Sequence, residues 1–244
     1  MQATGLIQLV EQGRKNMTKQ PLAEVFGLPV SNQSEDAQRN RDLKLCPYNN
    51  YVPNCTKDKA NAPLGVCSVL HNGNAVITCP VRFREQWIIV EDAAKFFFPP
   101  KTQWTSISEV RLKDEAGKSA GNIDLVLVSY DGQGKLLDFG ALEVQAVYIS
   151  GNVREPFESF MEDRSPNFDW TGKPKFPKPD FLSSSRKRLA PQLLFKGGIL
   201  HSWNKKIAVA LDQAFFETLP VLKEVERSQA EVAWFVYALK HDEK

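Results

Sequence analysis

The sequence has no long hydrophobic run, and this absence excludes a membrane-spanning helix. The longest apolar runs lie at residues 141–149 and 207–211, whereas a bilayer requires ~20 apolar residues, and Glu143 and Gln145 interrupt the first run. Residues 1–10 lack the basic and apolar segments of a secretory leader. We therefore expect a cytoplasmic protein without a membrane partner.

An excess of charge of one sign is also missing, because 31 lysines and arginines face 29 aspartates and glutamates, for a net charge of +2. This charge is too small to identify a nucleic-acid partner. The chain has no Gly-X-X-X-X-Gly-Lys phosphate loop and only three histidines, His71, His201 and His241. Enzymes that depend on that loop are excluded, and no small organic cofactor is expected.

Cysteine is scarce, and the four cysteines are Cys46, Cys55, Cys67 and Cys79. In a reducing compartment, thiols bind metal or are buried more often than they form disulfides. The Asn-Gly pair within residues 71–74 predicts a hairpin that brings Cys67 and Cys79 together. Thiolates favour iron or zinc, and their softness does not separate the two metals. We predict one structural metal site with four cysteine ligands; the alternative is four buried free cysteines.

The pattern of apolar residues predicts alternating helices and strands. Residues 1–30 read as a helix, with Leu22, Val25 and Phe26 on its later face, and residues 31–41 read as a loop. Further along we predict a helix at 84–98, strands at 106–112, 122–130 and 138–149, an irregular segment at 155–181, a helix at 185–195, a strand at 206–213 and a helix at 228–240. These elements divide into an N-terminal helical segment at 1–44, a cysteine module at 45–83 and an α/β core at 84–244.

Two acidic residues lie in strands that are otherwise apolar. Asp124 precedes a run of leucines and valines, and Glu143 and Gln145 project from one face of the next predicted strand. A buried acid is costly unless a positive charge compensates it, and a divalent cation between Asp124 and Glu143 would do so. The alternative for each acid is a salt bridge or a place at a sheet edge.

This arrangement resembles the PD-(D/E)XK nuclease signature, in which a strand aspartate precedes Glu-X-Lys on the next strand. Here glutamine replaces the lysine, since residues 143–145 read Glu-Val-Gln. The neutral amide of Gln145 carries no charge but can orient the attacking water. Glu109, in the preceding strand, is either a further metal carboxylate, an acceptor for that water, or a solvated strand residue.

A more specific resemblance, to the NotI-type restriction endonucleases, covers roughly the central half of the chain. The resemblance is carried by the sequence motifs at Leu45–Pro47, Val52–Asn61, Pro63–Ser68, Cys79–Arg84, Gly121–Asp124, Phe139–Tyr148 and Gly151–Arg154. The resemblance implies a mixed sheet flanked by helices, as in PD-(D/E)XK enzymes, and a dimeric, Mg²⁺-dependent enzyme that cleaves GC-rich palindromic DNA. It also implies an iron site with four cysteine ligands. On this match the catalytic set is Asp124, Glu143, Gln145 and Glu109.

Basic residues suggest how such an enzyme would hold DNA. Three of them, Arg186, Lys187 and Arg188, follow a run of serines at the start of a predicted helix, where hydroxyls and backbone amides also meet phosphate. Arg82 and Arg84 follow the last cysteine and are further candidates for DNA contact. The alternative is a capped, solvated helix.

The sequence therefore predicts a homodimeric type II restriction endonuclease that binds double-stranded DNA and hydrolyses it with a metal-activated water. Two other functions stay open. One is a catalytically idle DNA-binding protein on a nuclease scaffold, and the other is a nuclease of the same superfamily that acts in repair or on modified DNA.

Overall fold

The computed structural model describes residues 19–59, 61–165 and 168–240, which form two compact units. Within these residues the first unit consists of 19–79, 149–180 and 239–240, and the second of Pro80–Tyr148 and Phe181–Ala238. None of the helices in the described part of the chain is long and apolar enough to cross a membrane.

The first unit is built on a four-stranded antiparallel sheet. Its strands are β1 (Leu22–Val25), β2 (Leu28–Pro29), β5 (Val66–His71) and β6 (Asn74–Ile77), in the order β2-β1-β5-β6. The remaining elements are α1 (Glu35–Asp42), β3 (Asp58–Lys59), β4 (Ala62–Pro63), β10 (Tyr148–Ser150), α3 (Arg154–Asp163) and β11 (Lys178–Asp180). Phe26, Phe157 and Phe160 fill the core between them.

Two sequence predictions for this unit are wrong, and the first of them, the helix at 1–30, lies partly outside the described residues, which begin at residue 19. The helix predicted through Leu22 and Val25 is strand β1, which is buried along its whole length, so the apolar spacing did not mark one helical face. The loop predicted at 31–41 contains α1. Its start is fixed by Ser34, whose hydroxyl accepts a 3.3 Å hydrogen bond from the Ala37 amide.

The hairpin predicted from the Asn-Gly pair is confirmed. Strands β5 and β6 pair with Ser68 opposite Ile77, and the turn between them places Asn72 at φ 51° and Gly73 at φ 83°. Left-handed backbone at both central residues is the requirement of a tight two-residue hairpin turn, which asparagine and glycine meet at low cost.

The second unit is an α/β layer structure around a five-stranded mixed sheet, in the order β13-β12-β9-β8-β7. Strands β7 (Gln103–Lys113), β8 (Ser119–Tyr130) and β9 (Leu136–Gln145) form an antiparallel meander, whereas β12 (Ile207–Asp212) and β13 (Val232–Tyr237) are added in parallel. The helices are α2 (Ile88–Phe97), which follows a 3₁₀ segment at Pro80–Trp87, then α4 (Phe181–Ser184), a π-helical turn at Ser185–Leu189, α5 (Ala190–Ser202) and α6 (Gln213–Phe216). The predicted α/β class is thus confirmed.

Helices α2 and α5 cover opposite faces of this sheet. A Cβ atom at Gly140 would lie 2.4 Å from the Phe97 ring, so α2 packs directly on the face to which residue 140 points. Ala141 points to the other face and shares an apolar cluster with Val126 and with Leu200 of α5. The polar end of that second face carries the residues discussed below.

Several predicted boundaries in this unit change, and one element changes type. The helix at 84–98 begins at Ile88, and the strand at 138–149 ends at Gln145. The helix predicted at 228–240 is wrong, since β13 lies there as an outer strand beside β12. Its run Val-Ala-Trp-Phe-Val-Tyr is rich in β-branched and aromatic residues, which favour a strand. The segment predicted to be irregular at 155–181 contains most of α3 and all of β11.

Residues 117–121 read Gly-Lys-Ser-Ala-Gly, which matches the pattern of a serine-hydrolase nucleophile elbow. That pattern requires a sharp turn from a strand into a helix. Here the segment instead crosses the turn between β7 and β8 and continues into β8. The local structure therefore does not present Ser119 as a nucleophile.

Candidate active site

The two strand acids face each other across the centre of the mixed sheet. Strands β8 and β9 pair with Leu125 opposite Leu142 and Val126 opposite Ala141. Continuing this register places Asp124 opposite Glu143, close enough for each carboxyl group to shift the pKa of the other. The amide of Val144 also donates a 2.8 Å hydrogen bond to Asp124 Oδ2, which fixes that carboxyl.

A lysine that the sequence analysis did not single out completes this cluster. The Nζ of Lys196, on α5, lies 2.8 Å and 2.9 Å from the two carboxylate oxygens of Glu143 and 2.5 Å from the carbonyl oxygen of Asn122. Glu143 is 3% exposed and Lys196 5%, so the pair is shielded from water. In the sequence, Lys196 is the single cation within the apolar run at 193–200. Residue spacing alone cannot connect it to Glu143, which lies 53 residues earlier in the chain.

Burial raises the pKa values of both acids, and the negative charge of a neighbouring carboxylate adds to each rise. The pKa of Glu143 rises from 4.5 to about 7, mainly through burial and then through the negative charge of Asp124, while Lys196 opposes the rise. Burial also raises the pKa of Asp124, and the Val144 amide and Lys196 partly offset it. Each acid would be stabilised in its charged form by an additional cation.

The raised pKa of Glu143 predicts how the metal-free protein responds to pH. Because the folded-state pKa lies above the ordinary value, this group contributes stability below about pH 4.5 and loses it as the pH rises through about 7. We expect the free energy of unfolding of the wild type, relative to Glu143→Gln, to fall between these limits. Denaturant titrations in a chelator at several pH values measure this difference, and parallel curves for the two proteins would contradict the expectation.

Gln145 and Glu109 flank the two acids. Gln145 lies on the same face of β9 as Glu143, is 5% exposed, and donates a 2.8 Å hydrogen bond to the carbonyl of Ala146. Glu109 is exposed on β7, where its charge raises the pKa of Asp124 and its carboxylate accepts a 3.4 Å hydrogen bond from Asn122. Its φ of 56° is unusual within a strand, and such backbone outliers cluster at functional sites.

The donor atoms at this cluster suit a hard divalent cation. Mg²⁺ prefers carboxylate oxygens and is commonly held by only one or two of them, together with water and substrate phosphates. Across the described residues, no group of three or more His, Cys, Asp or Glu side chains is arranged to hold a metal ion. A site made by Asp124 and Glu143 needs no such group, and the two closely spaced, repelling carboxylates fit the ion.

The predicted iron or zinc site with four cysteine ligands gains no support from the described residues. No disulfide joins them, and Cys55 lies near enough to Cys46 and Cys79 for their charges to raise its pKa, after the larger effect of burial. Burial raises the pKa of Cys67 well above its ordinary value, and its sulfur accepts a 3.3 Å hydrogen bond from the Gly27 amide. These thiols gather in one unit, but the absence of any metal-holding group among the described side chains gives the four-cysteine site no support.

The predicted DNA-contacting residues differ in accessibility. Arg186, Lys187 and Arg188 are exposed on the π-helical turn, and the Arg188 guanidinium lies 4.5 Å from the centre of the Tyr148 ring. Arg84 is half-buried, and Arg82 is buried with a 2.8 Å hydrogen bond to Glu85.

The prediction that the serines preceding this basic run open the helix is wrong. Helical structure begins at Phe181, so their amides lie inside it, and the Ser184 hydroxyl accepts a 2.9 Å hydrogen bond from the Tyr148 amide. Any phosphate contact therefore falls to the three basic side chains rather than to a helix start.

Comparison with known proteins identifies one matching family. The family model described as Restriction endonuclease NotI matches residues 25–244, nearly the whole chain. No curated protein matches the sequence. The matched region includes both strand acids, Gln145, Glu109 and Lys196, so the buried cluster lies within the part of the chain that carries the likeness.

Proposed function

Because this chain belongs to the NotI family of restriction endonucleases, it binds double-stranded DNA and cuts it at a specific site, and we propose that the cut is a metal-dependent hydrolysis at Asp124 and Glu143. The observation that carries the proposal is the placement of two carboxylates opposite each other on neighbouring strands, with Glu143 buried, Asp124 half-buried and the pKa of both raised mainly by burial. Such pairs are typical of sites that bind a cation and act on phosphate.

Asp124 and Glu143 would hold the Mg²⁺ ion, each through carboxylate oxygens. When bound, the ion lowers the pKa of water and neutralises charge on the phosphate. The Val144 amide keeps Asp124 oriented throughout, since its hydrogen bond does not involve substrate. These contacts prepare the site before DNA arrives, which lowers the reorganisation needed during reaction.

The flanking residues would position the attacking water. The side-chain amide of Gln145 offers both a donor and an acceptor but no exchangeable charge, so it can orient water without taking its proton. The carboxylate of Glu109, exposed at the neighbouring strand, can accept a hydrogen bond from the same water. Hydrolysis by in-line attack needs no covalent enzyme intermediate, and the chain then has only to align water, phosphate and leaving oxygen.

We also propose a GC-rich palindromic site read by a homodimer. A palindrome has two-fold symmetry, and a symmetric dimer presents one active site to each strand. Arg186, Lys187 and Arg188 are exposed cations that would contact the phosphate backbone, which supplies affinity and a marked dependence on salt. The resemblance of the sequence supports the palindrome and the dimer, and exposure supports the phosphate contacts.

Incubation of the purified protein with a large sequenced DNA tests the proposal. We expect discrete fragments in Mg²⁺, no fragments in a chelator, and a common sequence at the fragment ends. Sequencing those ends gives the recognition site and the cleavage position. A smear without a common sequence would instead indicate a repair-type nuclease, and binding without cutting in Mg²⁺ would indicate a DNA-binding protein on a nuclease scaffold.

A further inference from the structure

We propose that Lys196 is a positioning residue that takes over, from helix α5, the part of the lysine replaced by Gln145 in the Glu-X-Lys motif. This inference rests on the proposed nuclease function. It assigns the positive charge of the catalytic centre to a residue 53 positions away from Glu143 in the chain.

Burial of Lys196 is energetically costly. Lys196 is the only buried lysine in residues 19–59, 61–165 and 168–240, and burying an ammonium group is unfavourable unless it is fully paired. Its three hydrogen-bond partners are the two Glu143 oxygens and the Asn122 carbonyl, which match the three donors of an ammonium. A packed apolar side chain would usually stabilise a fold at least as well, so a purely structural role does not account for this pair.

The backbone of β8 is shaped to receive the Lys196 ammonium group. Gly121 has a φ of +96°, a conformation that other residues rarely adopt, and it directly precedes Asn122, whose carbonyl accepts from Nζ. A Cβ atom at residue 121 would lie 3.6 Å from the Cε of Lys196. The strand therefore bends beside the lysine stem, immediately before the Asn122–Asp124 segment that carries the first acid.

Strand β9 itself lacks a positive charge beside Glu143. Gln145 is neutral, so β9 offers the negative charge of Glu143 without the neighbouring cation of a Glu-X-Lys strand. Leu200, one turn after Lys196, packs with Val126 and Ala141 on the face that carries Glu143. Helix α5 thus brings the positive charge of Lys196 to that face of the sheet. The Lys196 ammonium group holds the Glu143 carboxylate in a fixed orientation.

Three variants test this assignment. Lys196→Met is expected to lower kcat by about 10²-fold, comparable to the loss of a preorganised electrostatic contact, with the KM for DNA within about threefold of wild type. Adding Gln145→Lys to Lys196→Met should restore at least about tenfold of that loss, because the charge returns beside Glu143 from the strand. Lys95→Met, which removes an exposed lysine from α2, is the matched control and should leave both constants unchanged.

Binding of Mg²⁺ alone, measured by calorimetry without DNA, gives a readout independent of cleavage. We expect all variants to bind the ion, so that the loss in kcat reflects orientation rather than an empty site. An unchanged kcat in Lys196→Met, or no recovery in a folded, metal-binding double variant, would overturn the assignment. If Lys196→Met does not fold, Lys196→Arg is the substitute, because it keeps the charge but displaces it. It should likewise lower kcat while leaving the KM for DNA close to wild type.

The failure of this inference and the failure of the proposed function give different results. If the wild type does not cut DNA under any metal condition, the nuclease proposal itself fails. If the wild type cuts and Asp124→Asn abolishes cutting while Lys196→Met does not, only the role of Lys196 is wrong.

Discussion

Glu143→Gln is expected to lower the rate of DNA cleavage by on the order of 10³-fold while leaving DNA binding within a fewfold of wild type. The glutamine keeps the size of the side chain but removes the charge that would hold the metal. A bound metal ion contributes several kcal/mol to stabilising the charge on the phosphate, and each ~1.4 kcal/mol corresponds to a tenfold change in rate. The affinity is retained because exposed cations on the π-helical turn, and not this buried acid, would contact the DNA backbone.

Asp124→Asn should have an effect of similar size, and the double variant should be little worse than either single variant. The two acids act as one unit, because each shifts the pKa of the other and both would share the ion. Single-turnover cleavage of a labelled duplex, beside a binding titration, separates the chemical step from affinity.

Glu115→Gln is the matched control for these variants, since it removes an exposed acid outside the cluster of Asp124 and Glu143. It should cut at the wild-type rate. Cleavage by a folded Glu143→Gln protein at the wild-type rate would place the catalytic centre elsewhere. Additive losses in the double variant would indicate that the two carboxylates do not share one ion.

The largest expected loss of stability comes from Gly151→Ala. Gly151 has a φ of +84°, and a Cβ atom there would lie 2.6 Å and 2.7 Å from the backbone oxygens of Lys175 and Phe176. Left-handed backbone costs an alanine ~1–2 kcal/mol, and a contact that the surroundings cannot relieve adds ~1–3 kcal/mol. Since both opposing atoms belong to the backbone, we expect the free energy of unfolding to fall by roughly 2–5 kcal/mol.

Gly172→Ala provides the control for the Gly151→Ala measurement. Gly172 lies in the same unit at φ +75°, but a Cβ atom there would meet nothing within 4 Å. The control should therefore lose only the backbone cost of ~1–2 kcal/mol. Denaturant unfolding monitored by tryptophan fluorescence compares the two, and equal losses would show that the segment at 175–176 yields to the added methyl group.

The backbone geometry at Gly151 explains one of the sequence motifs that carry the family resemblance. After Gly151 turns the chain, the Asn152 amide donates to the Lys175 carbonyl and its side chain accepts from the Arg154 amide at the start of α3. Arg154 then pairs with Asp58 at 2.6 Å. The motif Gly-Asn-Val-Arg therefore has a structural role, because it connects separate segments of the first unit.

The features best predicted from the sequence are those that depend on residues close together in the chain. The Asn-Gly turn between β5 and β6 depends on two residues, and the strands that hold Asp124 and Glu143 follow from runs of apolar, β-branched residues. The placement of Glu143 and Gln145 on one face follows from the two-residue period of a strand alone. For this reason the acidic pair could be predicted before its geometry was known.

What the sequence did not predict depends on contacts between distant segments. Strand β1 has apolar residues spaced as on a helix, and only its complete burial between neighbouring elements makes it a strand. Strand β13 is similar, since its pairing with β12 overrides the helical reading of residues 228–240. Lys196 was missed for the same reason, because its partner lies on another element and no local pattern connects them.

The position of β9 in the sheet has a consequence for the order in which the chain is made. β9 lies between β8, which precedes it directly, and β12, which follows more than sixty residues later. While a ribosome is still synthesising residues 146–206, β9 has an open edge, and parallel partners close such edges slowly. The nascent chain thus carries both acids well before it carries Lys196 or strand β12, so the proposed catalytic centre is incomplete while residues 146–195 are being made.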